Sequence, residues 1–331
     1  EFLQDWITPF IAYQWPRYEV RFPNRKRTLE IPYCTGNSGT LSACVQPFID
    51  AGRLTPLLNT KVASVSATSV ILSSGKVLTA ECVLDARGFA PNDNVFLGYQ
   101  KFVGRTIRTK DPHGLEYPVI MDATVDQIDG YRFVYCLPFG KKEIFVEDTY
   151  YSDTKEIDPE ELRNRIIKFA DEQDWVIDKV IHSESGQLPV LYGGDFEAFW
   201  ASNKGPDARA GVRAALVQPI TSYSLPMAVK TAMIIASMPK INQKKLDKLL
   251  KDLALQHWTD GKFYRMLCAM MFKAAKPEKR YLTLEHTYAK DEALIERFYA
   301  GKSTKLDQAS LLSGKPPVPI TKAIPVMLKY R

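Results

Sequence analysis

Alternation of apolar and polar positions marks the strands of this chain. Phe145-Val-Glu-Asp-Thr-Tyr-Tyr151 sends Phe145, Glu147 and Thr149 to one side and Val146, Asp148 and Tyr150 to the other. Upstream, Tyr131-Arg-Phe-Val-Tyr-Cys-Leu137 places Tyr131, Phe133, Tyr135 and Leu137 on one face, and the intervening Pro138-Phe-Gly-Lys-Lys-Glu143 predicts a hairpin. Between Lys61 and Asp85 three short strands are predicted, Val62–Val65, Val70–Leu72 and Val77–Leu84. The last follows a Ser-Ser-Gly-Lys turn and runs into Asp85-Ala-Arg-Gly88. Another extended piece is expected around Gly186–Tyr192.

The period then changes. Asp158 caps a predicted helix over Pro159–Ala170 that buries Leu162, Ile166, Ile167, Phe169 and Ala170. The segment Arg209 to Pro226 reads as a short strand, a turn and the entry to a helix over Met227–Met238. From Gln243 onward the chain is mainly helical. Lys244, Lys245, Lys248 and Lys251 form a solvated face there, opposite a stripe of Leu246, Leu249, Leu250 and Leu253. Phe263-Tyr-Arg-Met-Leu-Cys-Ala-Met-Met-Phe272, flanked by Lys262 and Lys273, suits an interfacial or tunnel-lining helix, or equally a core helix.

At 331 residues, 45% of them hydrophobic and 11% aromatic, the chain has ample material for one large or two ordinary domains. No apolar run approaches the roughly 18 residues of a spanning helix, so any membrane contact is expected to be peripheral. The net charge of +6 is spread along the chain, without a nucleic-acid motif, and leaves a modest attraction to anionic lipid. Five scattered cysteines without Cys-x-x-Cys or Cys/His spacing argue against a disulfide framework or a zinc site, and for a reducing compartment. His113 reads as a turn residue.

The chemistry centres on the acidic strand. Whichever of Glu147 and Asp148 faces the apolar side loses hydration, and its neighbour's charge opposes ionisation further. A carboxyl so placed holds a proton near neutral pH and can act as a general acid. An edge strand with two solvated carboxylates fits the same pattern. Asp85-Ala-Arg-Gly88 suits a turn beneath a ligand or an ordinary strand end. The small polar residues before the helix near Met227 could offer backbone N–H groups to an anion or a flavin ring, or form a plain cap.

Taken together, the strings resemble the bacterial flavin-dependent lycopene beta-cyclases. They are Trp15-Pro-Arg-Tyr-Glu-Val-Arg-Phe-Pro23, Asp85-Ala-Arg-Gly88, Tyr117-Pro-Val-Ile-Met-Asp-Ala-Thr-Val-Asp126, Tyr131-Arg-Phe-Val-Tyr135, Phe145-Val-Glu-Asp-Thr-Tyr150, Tyr223-Ser-Leu-Pro226, Leu294-Ile-Glu-Arg-Phe-Tyr-Ala-Gly301 and Leu312-Ser-Gly-Lys-Pro-Pro-Val-Pro319. The resemblance runs almost end to end. It implies a mixed α/β flavoprotein of the glutathione-reductase and hydroxylase kind, with an FAD domain, an inserted antiparallel substrate sheet and C-terminal helices. The corresponding division is 1–98 and 205–240 for FAD, 99–204 for the sheet and 241–331 for the helices.

The resemblance further implies an intramolecular lyase that closes the ψ-ends of lycopene into β-ionone rings in carotenoid biosynthesis, without net redox change. It uses reduced FAD, with NADPH as the electron source. Glu147 takes the position of the catalytic acid, with Asp148 as the less favoured partner, and Tyr131, Phe133 and Tyr135 are expected to line the pocket. Asp85, Arg87, Gly88, Pro219, Thr221, Ser222, Tyr223 and Ser224 are expected at the flavin. The implied setting is the bacterial cytoplasm, at the surface of the inner membrane, with lycopene and lipid as partners.

The chain departs from the family pattern in two places. Ala215, Gln218 and Ser222 stand where the family usually has Gly, His and Gly, and a side chain at Ser222 strains the turn if φ is positive there. The chain also opens at Glu1 without the Gly-rich strand–turn–helix that holds the FAD pyrophosphate. It is therefore read as N-terminally incomplete, and by itself is expected to bind FAD poorly and to be inactive. A flavin hydroxylase or halogenase, and a carotenoid- or membrane-binding module without FAD, are the competing readings.

Overall fold

The computed structural model describes residues 6–314 and 316–330; the Glu1 start and Lys315 of the proline-rich string lie outside the described residues. The first third of the chain holds β1 (Ile11–Trp15), β2 (Tyr18–Phe22), β3 (Arg25–Leu29), β4 (Tyr33–Gly36), α1 (Ser38–Asp50), β5 (Val62–Val65), β6 (Ser69–Leu72) and β7 (Val77–Thr79). Then come β8 (Val95–Thr109), β9 (Val119–Asp122), β10 (Tyr131–Pro138), β11 (Glu143–Ser152), α2 (Pro159–Glu172), β12 (Ile177–Gly194) and α3 (Phe196–Ser202). The remainder is helical: α4 (Leu225–Ala236), α5 (Gln243–Asp260), α6 (Lys262–Lys273), α7 (Tyr281–Thr287), α8 (Glu292–Tyr299), α9 (Lys305–Leu312) and α10 (Ile320–Lys329).

The hairpin predicted at 131–151 is the centre of a seven-stranded sheet ordered β12-β8-β11-β10-β9-β2-β3. Its pairings are antiparallel except β2 with β9. The sheet draws β2 and β3 from the first ninety-eight residues, and β8 begins at Val95. β11 lies between β8 and β10, which removes the edge-strand alternative for its carboxylates. The two faces are covered differently. Tyr131, Phe133, Tyr135 and Tyr151 pack with residues of α6, α7, α8 and α10. Val134, Val146 and Tyr150 pack under Leu162, Ile166 and Phe169 of α2, whose N-cap Asp158 accepts from Glu160 and Glu161 as its position predicts.

Several local expectations shift. The strand expected over Val77–Leu84 ends at Thr79, and the pairing further on reduces to a single parallel bridge between Asp85 and Arg209. Ile167 is turned outward, 39% exposed, while its neighbour Ile166 takes the core position. On α5 the fully buried positions are Leu246, Leu250 and Ala254, and Leu249 and Leu253 are half-buried at the margins of the stripe. His113 is buried in its turn, its ring bonded to the Gly140 carbonyl oxygen at 2.6 Å.

The helix 263–272 is buried inside the protein and is not an interfacial one. Residues of α6 from Tyr264 to Phe272 are buried almost without interruption, and Leu267, Cys268, Met270 and Met271 also line a cavity among the C-terminal helices. Its Phe272 ring lies on the sheet at Gly98, where an added Cβ would come within 2.3 Å of the ring. Arg265, buried beside the Trp258 ring at 3.9 Å, has its guanidinium pushed down to about 10 by desolvation.

Candidate active site

Antiparallel pairing decides which side chains meet Glu147. Tyr135 stands opposite it on β10 and Gly104 opposite it on β8; Phe133 faces Thr149 and Tyr131 faces Tyr151. Directly opposed residues share a face. The Glu147 carboxyl therefore belongs to the aromatic face under the C-terminal helices. Tyr131 and Phe133 stack at 4.9 Å, Phe133 and Tyr135 meet edge-on at 5.2 Å, and Phe139 stacks between Phe145 at 6.2 Å and Tyr13 at 4.3 Å. Gly104 is required here, since a Cβ would sit 2.5 Å from the Phe145 ring.

Glu147 is 8% exposed, and its hydrogen bond comes from the Thr149 hydroxyl, 2.7 Å from Oε1. Burial pushes its carboxyl up to about 8; the Thr149 hydrogen bond opposes this, and the charges of Glu184 and Asp148 add to it. The group is a protonated acid at neutral pH. Beside it the Tyr135 and Tyr223 hydroxyls are 2.8 Å apart, and Tyr33 of β4 joins Tyr223. Burial raises all three phenols above their ordinary value, so they stay neutral donors. Tyr223 is 44% exposed as a residue while its hydroxyl end is enclosed by this cluster.

Asp148 lies on the other face. It is fully buried, accepts from Arg132 Nε at 2.8 Å and from the Tyr150 hydroxyl at 2.6 Å, and Arg165 donates to the same Tyr150 oxygen. Burial raises its carboxyl, with Arg132 and Tyr150 pulling the other way. The two acids are thus separated by the sheet, and Asp148 is a partner of Arg132 rather than of Glu147.

The residues expected at the flavin fall into two groups. Asp85, 2% exposed, is gripped by Arg87 Nε and Nη2 at 2.8 Å each and by Arg213 at 3.1 Å. Burial alone would raise its carboxyl, but these arginines hold it below the ordinary range. Gly88 and Gly211 both have positive φ, 84° and 58°, and open space where a Cβ would be. Alongside runs an open groove of about 540 Å³ lined by Arg87, Arg213, Lys204, Asn92 and Asn94 among others. Cationic and amide donors along this groove fit a phosphate-bearing dinucleotide such as FAD.

The second group is turned inward. Thr221 and Ser222 are buried, and Ser222 has φ 57° with its hydroxyl donating to the Pro189 carbonyl at 2.7 Å. Gln218 Oε1 accepts from the N–H groups of Ile220 at 2.6 Å and Thr221 at 2.8 Å, and the Ser222 N–H donates to the Gln218 carbonyl. The side chain that replaces the family's His thus takes up the N–H groups expected for the flavin. Pro219 accepts from the Cys268 thiol, and Tyr223 and Ser224 lead into α4 as the outward-facing members.

The comparisons with known proteins decide the family. The family model described as "Lycopene cyclase protein" matches residues 3–324. The chain belongs to that family. It is 40% identical to a lycopene beta-cyclase of Pantoea ananas over 327 residues, 98% of this chain and 83% of the relative. It is 37% identical to one of Paracoccus sp. over 324 residues, 97% and 83%. Among solved structures it is similar to a geranylgeranyl bacteriochlorophyll reductase-like protein of Thermoplasma acidophilum (TM-score 0.53, 14% identity, 97% and 84% coverage). A flavin-dependent brominase is equally similar in fold (0.53, 13%, 90% and 79%). The fold is therefore the mixed α/β one of these proteins.

Within the family's acidic string, Glu147 is the member aimed at the aromatic face. Alternation alone could have named Thr149 as its hydrogen-bond partner. Tyr33, Arg132 and Arg213 carried no local signal, because each reaches its partner from another strand or segment.

Proposed function

We propose that the full-length protein cyclises the ψ-ends of lycopene to β-ionone rings, with Glu147 as the general acid. The observation that carries this reading is a carboxyl held protonated to about pH 8 on a face of aromatic rings. The acid donates its proton to the terminal double bond, leaving a tertiary cation. The neighbouring double bond supplies its π electrons to close the six-membered ring, and a ring proton then leaves to the Glu147 carboxylate. The acid is regenerated, and the product is an isomer of the substrate.

Tyr131, Phe133 and Tyr135 share the face of Glu147, where cation–π attraction would be worth about 0.5–2 kcal/mol per favourable ring. The neutral tyrosine hydroxyls and the apolar cover keep out water, which would otherwise trap the cation. Reduced FAD, replenished by NADPH, would supply electron density that favours positive charge nearby. The groove with Arg87, Lys204 and Arg213 would add cations beside the dinucleotide, and Tyr223 and Ser224 are the turn residues that would meet its ring. The substrate is a hydrocarbon, so peripheral contact with the bacterial inner membrane belongs to the same reading.

The test is Glu147→Gln in the full-length protein, expressed in a lycopene-accumulating bacterium. Colonies stay red, with cyclisation reduced about 100-fold or more. Normal β-carotene output would remove Glu147 from the reaction.

A further inference from the structure

The two halves of the Glu147 face differ in access. Toward Tyr151, Tyr131 and Phe133 have no exposed surface, and they stack on each other and on Tyr151 in the core shared with the C-terminal helices. Toward the turn between β10 and β11, Phe145, Phe139 and Tyr13 form one continuous stack and are each only half-buried. Glu147 stands at the boundary.

A third strand brings a second carboxylate to the open half. Gly104 of β8 is paired with Glu147 on one side and with Glu184 of β12 on the other, so the three residues form a row across the sheet and share a face. Two strand spacings separate the ends of the row, about 9–10 Å between backbones. Gly104 has no side chain, which leaves a gap in the middle. The Phe145 ring and the Glu184 side chain lean into it, 2.5 and 3.3 Å from where a Gly104 Cβ would stand. His182 Nε2 lies 3.5 Å from Glu184 Oε2, and their side chains are 58% and 47% exposed. The other titratable groups around Glu147 are the neutral phenols Tyr33, Tyr135 and Tyr223, with Asp148 on the opposite face.

We propose that the reacting end of the substrate lies against the Phe145 ring in the gap at Gly104, and that Glu184 is the counter-charge to the cation formed there. An olefin matches the aromatic bed before proton transfer. Afterwards its positive carbon has a ring on one side and a carboxylate on the other. The bonds made and broken are those of the cyclisation above: the Glu147 O–H breaks as the C–H forms, while Glu184 makes no bond and keeps its charge. That charge also opposes the Glu147 carboxylate, which favours return of the ring proton to it. The inference rests on the cyclase reading, whose own test is Glu147→Gln.

The full-length, flavin-loaded protein is assayed on lycopene in detergent micelles, with kcat, KM and the pH profile measured. Glu184→Gln, on the edge strand of the sheet and half in solvent, is expected to lower kcat about tenfold with KM within about twofold. It also moves the alkaline limb of the profile to lower pH, because a charge that keeps the proton on Glu147 is gone. Glu184→Asp keeps more of the rate than Glu184→Gln. Phe145→Leu lowers kcat about tenfold per folded molecule, in the range of one ring–cation contact. Stepwise fluorination of the Phe145 ring, which withdraws π density and keeps the fold, lowers kcat stepwise.

A wild-type kcat and pH profile in Glu184→Gln, or a Glu184→Asp as impaired as Glu184→Gln, overturns the counter-charge. A rate indifferent to fluorination of Phe145 overturns the seat. Cyclisation that survives Glu147→Gln, or is absent from the wild type, overturns the cyclase reading and this inference with it. An inactive Glu147→Gln beside unaffected Glu184→Gln and fluorinated Phe145 overturns this inference alone.

Discussion

Tyr135 and Glu147 stand directly opposite each other on neighbouring antiparallel strands, with the Tyr135 hydroxyl 2.8 Å from that of Tyr223. The acid is therefore held beside neutral phenols and away from any cation that would ionise it. Its proton is available at neutral pH because burial disfavours the carboxylate and, among the described residues, Thr149 is its hydrogen-bond donor.

The pH dependence follows. Glu147 keeps its proton in the fold up to about pH 8, and in the unfolded chain only up to about 4.5. Its contribution to stability is complete below about pH 4.5 and is lost as pH rises through about 8. Urea unfolding of wild type and Glu147→Gln between pH 5 and 9 checks this: the wild type loses stability across the range more steeply than the variant. Cyclisation by the wild type should likewise fall above about pH 8, where the acid form disappears.

Asp148→Asn separates the two carboxyls. It leaves the Arg132 guanidinium buried without a counter-charge, a change that typically costs about 3–5 kcal/mol. Denaturant unfolding is expected to show that loss, while turnover per folded, flavin-loaded molecule stays within about tenfold of wild type. A stable but inactive Asp148→Asn would return Asp148 to the chemistry.

Gly104→Leu drives a side chain into the Phe145 ring two residues from Glu147. Overpacking of this kind costs about 1–3 kcal/mol. Cyclisation measured on the folded fraction should fall further than for a leucine at a surface glycine such as Gly140, where the nearest atom to a Cβ is 4.0 Å away.

Ser222 carries left-handed strain and a buried hydrogen bond together. Ser222→Ala keeps the strain and removes the bond to Pro189, so a loss of about 1 kcal/mol is expected. Ser222→Gly also relieves the strain, worth about 1–2 kcal/mol, and thermal melting should place it at or above wild type.

Arg87→Ala tests the dinucleotide groove. It removes the fork on Asp85 and one cation from the groove wall, and fluorescence titration of the full-length protein is expected to give FAD binding weakened about tenfold or more. Unchanged affinity would place the phosphates elsewhere.

The sequence made the hairpin and its faces legible because both strands keep a strict period of two, and a period of two assigns every side chain to a face without knowing the neighbours. The same logic failed for α6: its apolar character was legible, but whether lipid or protein covers it depends on packing against distant strands. The exposed Ile320, Ile324 and Leu328 of α10 were not legible either, because Pro325 and the adjoining proline-rich string obscured their i, i+4, i+8 spacing. Tyr33 and Arg213 were invisible because a strand or turn far away in the chain brings them in. Gln218 was visible as a departure, but its bonds to the turn's own N–H groups were not.

The buried pair of Arg132 and Asp148 has a further consequence. If β11 slipped by one residue against β10, every side chain on it would change faces. Glu147 would then turn toward α2 on the Arg132 side, and Asp148 would lie among the aromatic rings without Arg132 or the Tyr150 hydroxyl. Tyr151 would leave the Ile220 carbonyl and Tyr150 would leave the core under α2. The contacts on the two sides of β11 thus act together as an error-check on strand alignment, and what they secure is that Glu147, and not Asp148, faces the aromatic rings.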